Sequence, residues 1–137
     1  MLNFEYFVKE NKVKKKSVDI NLAKSLVRSS KDRFDFAVKL IDTKPRYALE
    51  NAYEAVIELT DALLALNGYK SWSHEANIAF LKNFKEFSFV ELERLDGIRR
   101  KRHSSKYYGV FFEKAEVMRE IEFLKTVHRK LNNTINV

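Results

Sequence analysis

Apolar positions along this chain recur at helical rather than strand spacing. Between Asp19 and about Asp42, Ala23, Val27, Ser30, Phe34, Ala37 and Ile41 step alternately by four and three. That spacing puts them on one helix face, with Asp19 or Ser17 as the N-cap. Thr43 and Pro45 restart the chain, the proline falling in the first turn of a new helix where its missing N–H does no harm. Here Leu49, Ala52, Val56, Leu59, Leu63 and Leu66 form the most regular apolar seam in the sequence. Asn67 and Gly68 end it, because glycine readily takes the left-handed conformation of a helix C-terminus. A helix with so continuous a seam is expected at the centre of the fold.

The linker "YKSWS" leads to a weaker helical stretch over 74–84, with Ser73 as cap and Ile78 and Leu81 facing inward. Ser88 or Phe89 opens a further helix that runs into a basic cluster, and Gly109 breaks or kinks the chain. A last helix over 111–132 has Val117, Ile121, Leu124 and Leu131 on one stripe. Near the start, "FEYFV" is apolar, but "KVKKK" reads as a flexible, solvated connection, so residues 1–17 are expected to be loosely packed. No useful β-alternation, internal repeat or domain linker interrupts this pattern. The expectation is an all-α fold, one domain over 1–137, built as an antiparallel bundle of four long helices plus a short one.

Composition agrees with that picture. Apolar residues make up 45% of 137, with three Gly and one Pro, which excludes a disordered chain. There are no cysteines, so disulfides and cysteine-bound zinc are excluded and a reducing compartment is expected. Glu5, Lys9 and Glu10 interrupt the opening residues, which therefore lack a signal-peptide core, and no apolar run reaches the length of a membrane span. A cytoplasmic protein without a membrane partner is the resulting expectation. The 26 Lys+Arg against 19 Asp+Glu give +7, which permits nucleic-acid binding without demanding it.

Where the charge lies changes the picture more. In "RRKRHSSKYYG", residues 99–109, helical geometry puts Arg99, Arg102, His103 and Lys106 on one stripe with Tyr107 at its edge, and turns Arg100 and Lys101 elsewhere. Leu92 and Leu95 share that stripe, so the cations continue the line along which the helix faces its neighbours. Cations carried into a groove need an anionic partner, and a phosphate suits the planar guanidinium. The competing explanation is a solvated helix end whose cations answer the macrodipole. A second row, Glu50, Glu54, Glu58 and Asp61, could hold Mg²⁺ or act as an acid/base pair. Pairing with neighbouring cations, or plain solvation, is the stronger reading there.

The three histidines form no metal motif. His128 falls on the apolar stripe of the last helix as a hydrogen-bonded core or interface residue, and His74 belongs to a capping region. His103 lies among arginines that disfavour its charged form, which suits a general base. Lys14–Lys16 read as a solubilising, mobile run that adds at most salt-sensitive, nonspecific attraction to nucleic acid.

"RYALENAYEAVIELTDALLALNGYKSWSHEANIAFLKNF", residues 46–84, resembles the second and third helices of HEPN domains, and "LDGIRRKRHSSKYYG" resembles their signature helix. The resemblance runs from about residue 19 through most of the chain. It implies a helical bundle that commonly dimerises, here most simply as a homodimer. Active members carry Arg, four to six residues, then His, and two copies meet to form a metal-independent endoribonuclease site. Many work beside a minimal nucleotidyltransferase in toxin–antitoxin pairs, and others bind nucleotides or act as accessory domains. Carried over, Arg102 matches the signature Arg and His103 stands where Asn is common. Tyr107 stands where the catalytic His is expected, and Gly109 where a Tyr often follows. The resemblance thus implies Arg102, His103 and Tyr107 as catalytic residues, Arg99, Arg102 and Lys106 as phosphate-binding residues, and no metal or cofactor. Two functions stay open: RNA or nucleotide binding with or without cleavage, and non-catalytic docking of a nucleotidyltransferase or other acidic partner.

Overall fold

The computed structural model describes residues 1–108 and 112–137 and, within the helix ending at Tyr108, side chains as far as Ser104. Among them the chain is mostly helical: α1 (Phe4–Lys9), α2 (Ile20–Lys39), α3 (Pro45–Leu66), α4 (His74–Phe80), α5 (Phe89–Tyr108) and α6 (Lys114–Thr134). A 3₁₀ turn, Leu81–Asn83, extends α4 and completes the short helical stretch expected there. Two three-residue strands, β1 (Val13–Lys15) and β2 (Tyr69–Ser71), pair antiparallel. No helix among the described residues is long and apolar enough to cross a membrane.

Helix α3 is the hub. Pro45 opens it, and Leu49, Ala52, Val56, Leu59 and Leu63 are buried along the expected seam. Tyr53, Ala55, Ile57 and Leu64 are buried as well, so apolar side chains meet neighbours on nearly every side. Helices α2, α4, α5 and α6 all pack on it. Each fully buried leucine, such as Leu59 or Leu124, contributes about 1.5–3 kcal/mol over its exposed state. Small residues let α2 come close: Ala23 packs against Ala62 and Ala65.

The caps follow the sequence. Asp19 accepts a hydrogen bond from the Leu22 N–H at 3.0 Å, and Ser73 accepts from Ala76 at 3.2 Å. Ser88 and Glu91 bond each other's backbone N–H reciprocally at the start of α5. Helix α2 ends at Lys39, so Ile41 packs from the following turn rather than from the helix face. In α6, Val117, Ile121, Leu124 and Leu131 are buried as the stripe requires.

The first residues depart from expectation. Phe4 and Phe7 of α1 and Val13 of β1 are buried in the same core as α3. Phe4 rings contact Tyr69 at 5.1 Å and Phe80 at 4.8 Å between centroids. The lysine run is therefore one edge of a ladder, in register Val13↔Ser71, Lys14↔Lys70 and Lys15↔Tyr69. Gly68 makes this approach feasible. Its φ is +80°, and a Cβ there would lie 2.9 Å from the Lys16 carbonyl oxygen. In turn the Lys16 N–H donates to the Gly68 carbonyl at 2.8 Å.

Candidate functional site

Leu92, Leu95 and Ile98 bury one side of α5, and Arg99 and Arg102 continue that side toward α3 and α4. The alignment of cations with the leucine seam is thus real, but the chain supplies its own anions. Arg99 donates from Nε to Asp96 at 2.7 Å and holds Glu75 of α4 at 3.8 Å. Arg102 holds Glu54 of α3 at 2.6 Å. Its guanidinium carbon lies 5.6 Å from the centre of the Tyr53 ring, a cation–π arrangement. The Arg102 Nε is buried and donates to nothing.

Beneath Arg102 lies a polar pair, a buried phenol and a partly buried imidazole. The Tyr53 hydroxyl and His74 Nδ1 are 3.1 Å apart. Burial raises the Tyr53 pKa above its ordinary value, so the phenol keeps its proton. Burial, reinforced by the Arg102 and Arg99 charges, lowers the His74 pKa, against the pull of Glu54 and Asp61. The consistent arrangement is a phenol donating to Nδ1 of a neutral imidazole whose proton sits on Nε2. One turn along, Asn77 donates to Thr60 at 2.9 Å and to Asp61 at 2.8 Å, while burial pushes the Asp61 pKa up.

The other members of the basic cluster separate. Arg100 is well exposed and bonds Asp96. Lys101 reaches α6, at 2.8 Å from Glu116 and 3.6 Å from Glu120. His103 is exposed, whereas Arg102 beside it is turned against Tyr53 and Glu54. The side chains of Lys106 and Tyr107, and Gly109, lie outside the described residues. The acidic row of α3 resolves into partnered groups: Glu50 with Arg46 at 3.7 Å, Glu58 with Arg33 at 2.7 Å, Glu54 with Arg102, and Asp61 with Asn77. The pairing reading of that row holds, and among the described residues no group of three carboxylates or histidines gathers around a cation position.

Histidine 128 is the hydrogen-bonded residue its position on α6 suggested. Its Nε2 lies 2.8 Å from Ser30 Oγ and its Nδ1 3.1 Å from Asn132. Because Ser30 donates to the Ala55 carbonyl, the imidazole must donate to Ser30 from Nε2 and accept from Asn132.

Sequence reasoning put Arg99 and Arg102 on a common line but missed Tyr53, His74 and Glu75 as their company. Those contacts join α3, α4 and α5, and no short-range spacing encodes them. The one available hint was Glu54, placed by helical spacing in a row of like charges that needed compensation.

Chemically, the junction holds two guanidiniums, Arg102 tethered by Glu54 and Arg99 by Asp96 and Glu75, above a neutral imidazole. An incoming anion would exchange with Glu54 or Glu75 rather than meet a bare cation. No protein-family model matches this chain, and no curated protein sequence matches it.

Proposed function

We propose that the chain is an HEPN-like helical protein, acting as a dimer, that binds the phosphates of RNA or a nucleotide through the second half of α5. The observation that supports this most directly is Arg102. Its guanidinium is packed on Tyr53, tethered by Glu54, and retains a buried Nε without an acceptor. Such an arginine is oriented before ligand arrives, which lowers the ordering cost of binding. A phosphate that displaces Glu54 gains the planar fork that suits it. In the enzymatic version the RNA 2′-hydroxyl loses its proton and attacks the adjacent phosphorus. The P–O5′ bond breaks as the leaving 5′-oxygen is protonated, giving a 2′,3′-cyclic phosphate and a 5′-hydroxyl. Arg102 then stabilises charge on the phosphoryl oxygens, with His103 or Tyr107 handling protons and no metal required.

The second reading is non-catalytic docking of an acidic partner protein, such as a minimal nucleotidyltransferase. It is favoured by the ion pairs themselves: Arg99 and Arg102 already have carboxylates, and a protein partner could supply equivalent ones.

Calorimetric titration of ATP and of RNA into the protein and into Arg102→Ala and Arg102→Lys separates these readings. Phosphate binding predicts loss in Arg102→Ala and only partial recovery in Arg102→Lys, because lysine lacks the bidentate fork. RNA cleavage that persists in chelator and disappears in Arg102→Ala would establish the nuclease. Unchanged ATP and RNA affinity in Arg102→Ala would overturn the assignment of this site.

A further inference from the structure

The lysine run lies on the β1–β2 ladder, apart from the arginines of α5. Val13 is 2% exposed and faces the core, so Lys14 and its cross-strand partner Lys70 project outward from the β1–β2 ladder. Like charges directly opposite each other destabilise a ladder, so local stability does not explain the pairing. Between them sits Trp72, the only tryptophan of the chain and 57% exposed. The Lys14 and Lys70 ammonium groups lie 5.9 and 6.0 Å from the centre of its ring. The main chain at Trp72 is tied to β1, because its backbone N–H donates to the Lys12 carbonyl at 2.9 Å.

Lys12, Lys15 and Lys16 extend the same edge. None of these five lysines has a carboxylate within ion-pair distance among the described residues, unlike the cations of α5. Beside Trp72 a groove of about 400 Å³ runs over Leu2, Phe7 and the exposed ring of Tyr6. Its two carboxylates are Glu10 and Glu75, and Glu75 faces Arg99. On the opposite flank Asp61 lies near Lys70, with its ionisation disfavoured by burial.

An exposed indole flanked by two ammonium groups has the chemistry of a platform for an unstacked base with a track for its phosphates. We propose that this ladder binds single-stranded nucleic acid. One base stacks on Trp72 at the mouth of the groove, and the backbone follows Lys14 and Lys70. An acidic peptide would engage the lysines but has no use for the flat face of the indole. A membrane surface would call for a continuous apolar face rather than two ammonium groups flanking one aromatic. This inference does not depend on the reading of α5.

Trp72 is its own reporter. Titration of a short oligouridylate at low salt should quench its emission, and an oligothymidylate should do the same if sugar identity plays no part. Inorganic polyphosphate, which has charge but no base, should bind with little quenching. In Trp72→Ala, anisotropy of a labelled oligonucleotide should show affinity lowered about 5- to 150-fold, the range for losing one stacked base. Lys14→Gln and Lys70→Gln should each reduce the slope of log affinity against log salt by about 0.7. Thermal melting of each variant checks that the fold is retained.

Four results overturn the proposal: no quenching by any oligonucleotide, equal quenching by polyphosphate, wild-type affinity in Trp72→Ala, or preferential binding to anionic lipid vesicles. Quenching that survives in Arg102→Ala supports the ladder whatever becomes of α5. Binding that is lost in Arg102→Ala without any Trp72 response in the wild type supports α5 alone.

Discussion

The α3–α4–α5 junction and the β1–β2 ladder are both rich in cations, yet they use them in opposite ways. At the junction every described arginine meets a carboxylate, and a buried phenol paired with a half-buried imidazole lies under the guanidiniums. At the ladder two lysines oppose each other across a pair of strands and share an exposed tryptophan. Charge density alone made "RRKRH" the more obvious ligand site. Counter-charge reverses that order, because what a cation has left to offer depends on the anions already beside it.

The sharpest way to break this contrast is to remove the central aromatic of each region. Tyr53 is fully buried and supports Arg102 and His74, so Tyr53→Ala should destabilise the protein by about 3–5 kcal/mol. Trp72→Ala should change stability by no more than about 0.5 kcal/mol, since that ring is mostly in solvent. Urea unfolding of both variants reads the difference, and comparable losses would show that the ladder aromatic is structural.

The Arg102–Glu54 pair comes next. Both side chains are about three-quarters buried, at 22% and 27% exposure. A double-mutant cycle with Arg102→Ala and Glu54→Ala should return a coupling of about 1–2 kcal/mol, between values for surface and fully buried pairs. Coupling near zero would mean that Glu54 does not restrain Arg102, and the exchange of carboxylate for phosphate would lose its basis.

Proton linkage separates the regions more gently. Burial holds the His74 and His128 pKa values below the ordinary imidazole value of 6.5. The unfolded chain therefore takes up protons first as pH falls below about 6.5, and stability declines as pH drops through that window. Asp61 runs the other way: its raised pKa contributes stability in acid that is lost as pH rises through its folded value. Urea midpoints measured from about pH 7.5 to about pH 5.5 should fall, and His74→Gln and His128→Gln should each flatten the decline. Neither His74 nor His128 belongs to the ladder, so single-strand binding should not follow the same curve.

Helices were legible because their signal is local. Period and caps in the sequence located α3, α6 and the start of α5, and the Gly68 stop follows from backbone sterics. The alignment of Arg99 and Arg102 with Leu92 and Leu95 was legible for the same reason. The acids that meet them were not, since Glu54 and Glu75 arrive from other helices. Strand β1 was hidden more deeply. Three residues, Val13, Lys14 and Lys15, give one cycle of alternation, and their partner strand lies beyond α2 and α3. Buried Phe4 and Phe7 sat in the apolar "FEYFV", but the lysines after it made the whole segment look solvated. One of the lysines that concealed the strand, Lys14, is brought by the fold to Trp72 beside Lys70.

The smallest expected effect is also the most discriminating. Threonine suits a strand better than lysine and would relieve the Lys14–Lys70 opposition, so Lys14→Thr should stabilise the protein by about 0.2–1 kcal/mol. The same change should weaken oligonucleotide binding and lower its salt slope by about 0.7. A residue whose replacement raises stability while lowering affinity is held at a cost to the fold, as expected of a binding surface. If Lys14→Thr instead melts earlier, the lysine contributes to the ladder through its contact with Trp72, and the unpaired charges there are structural after all.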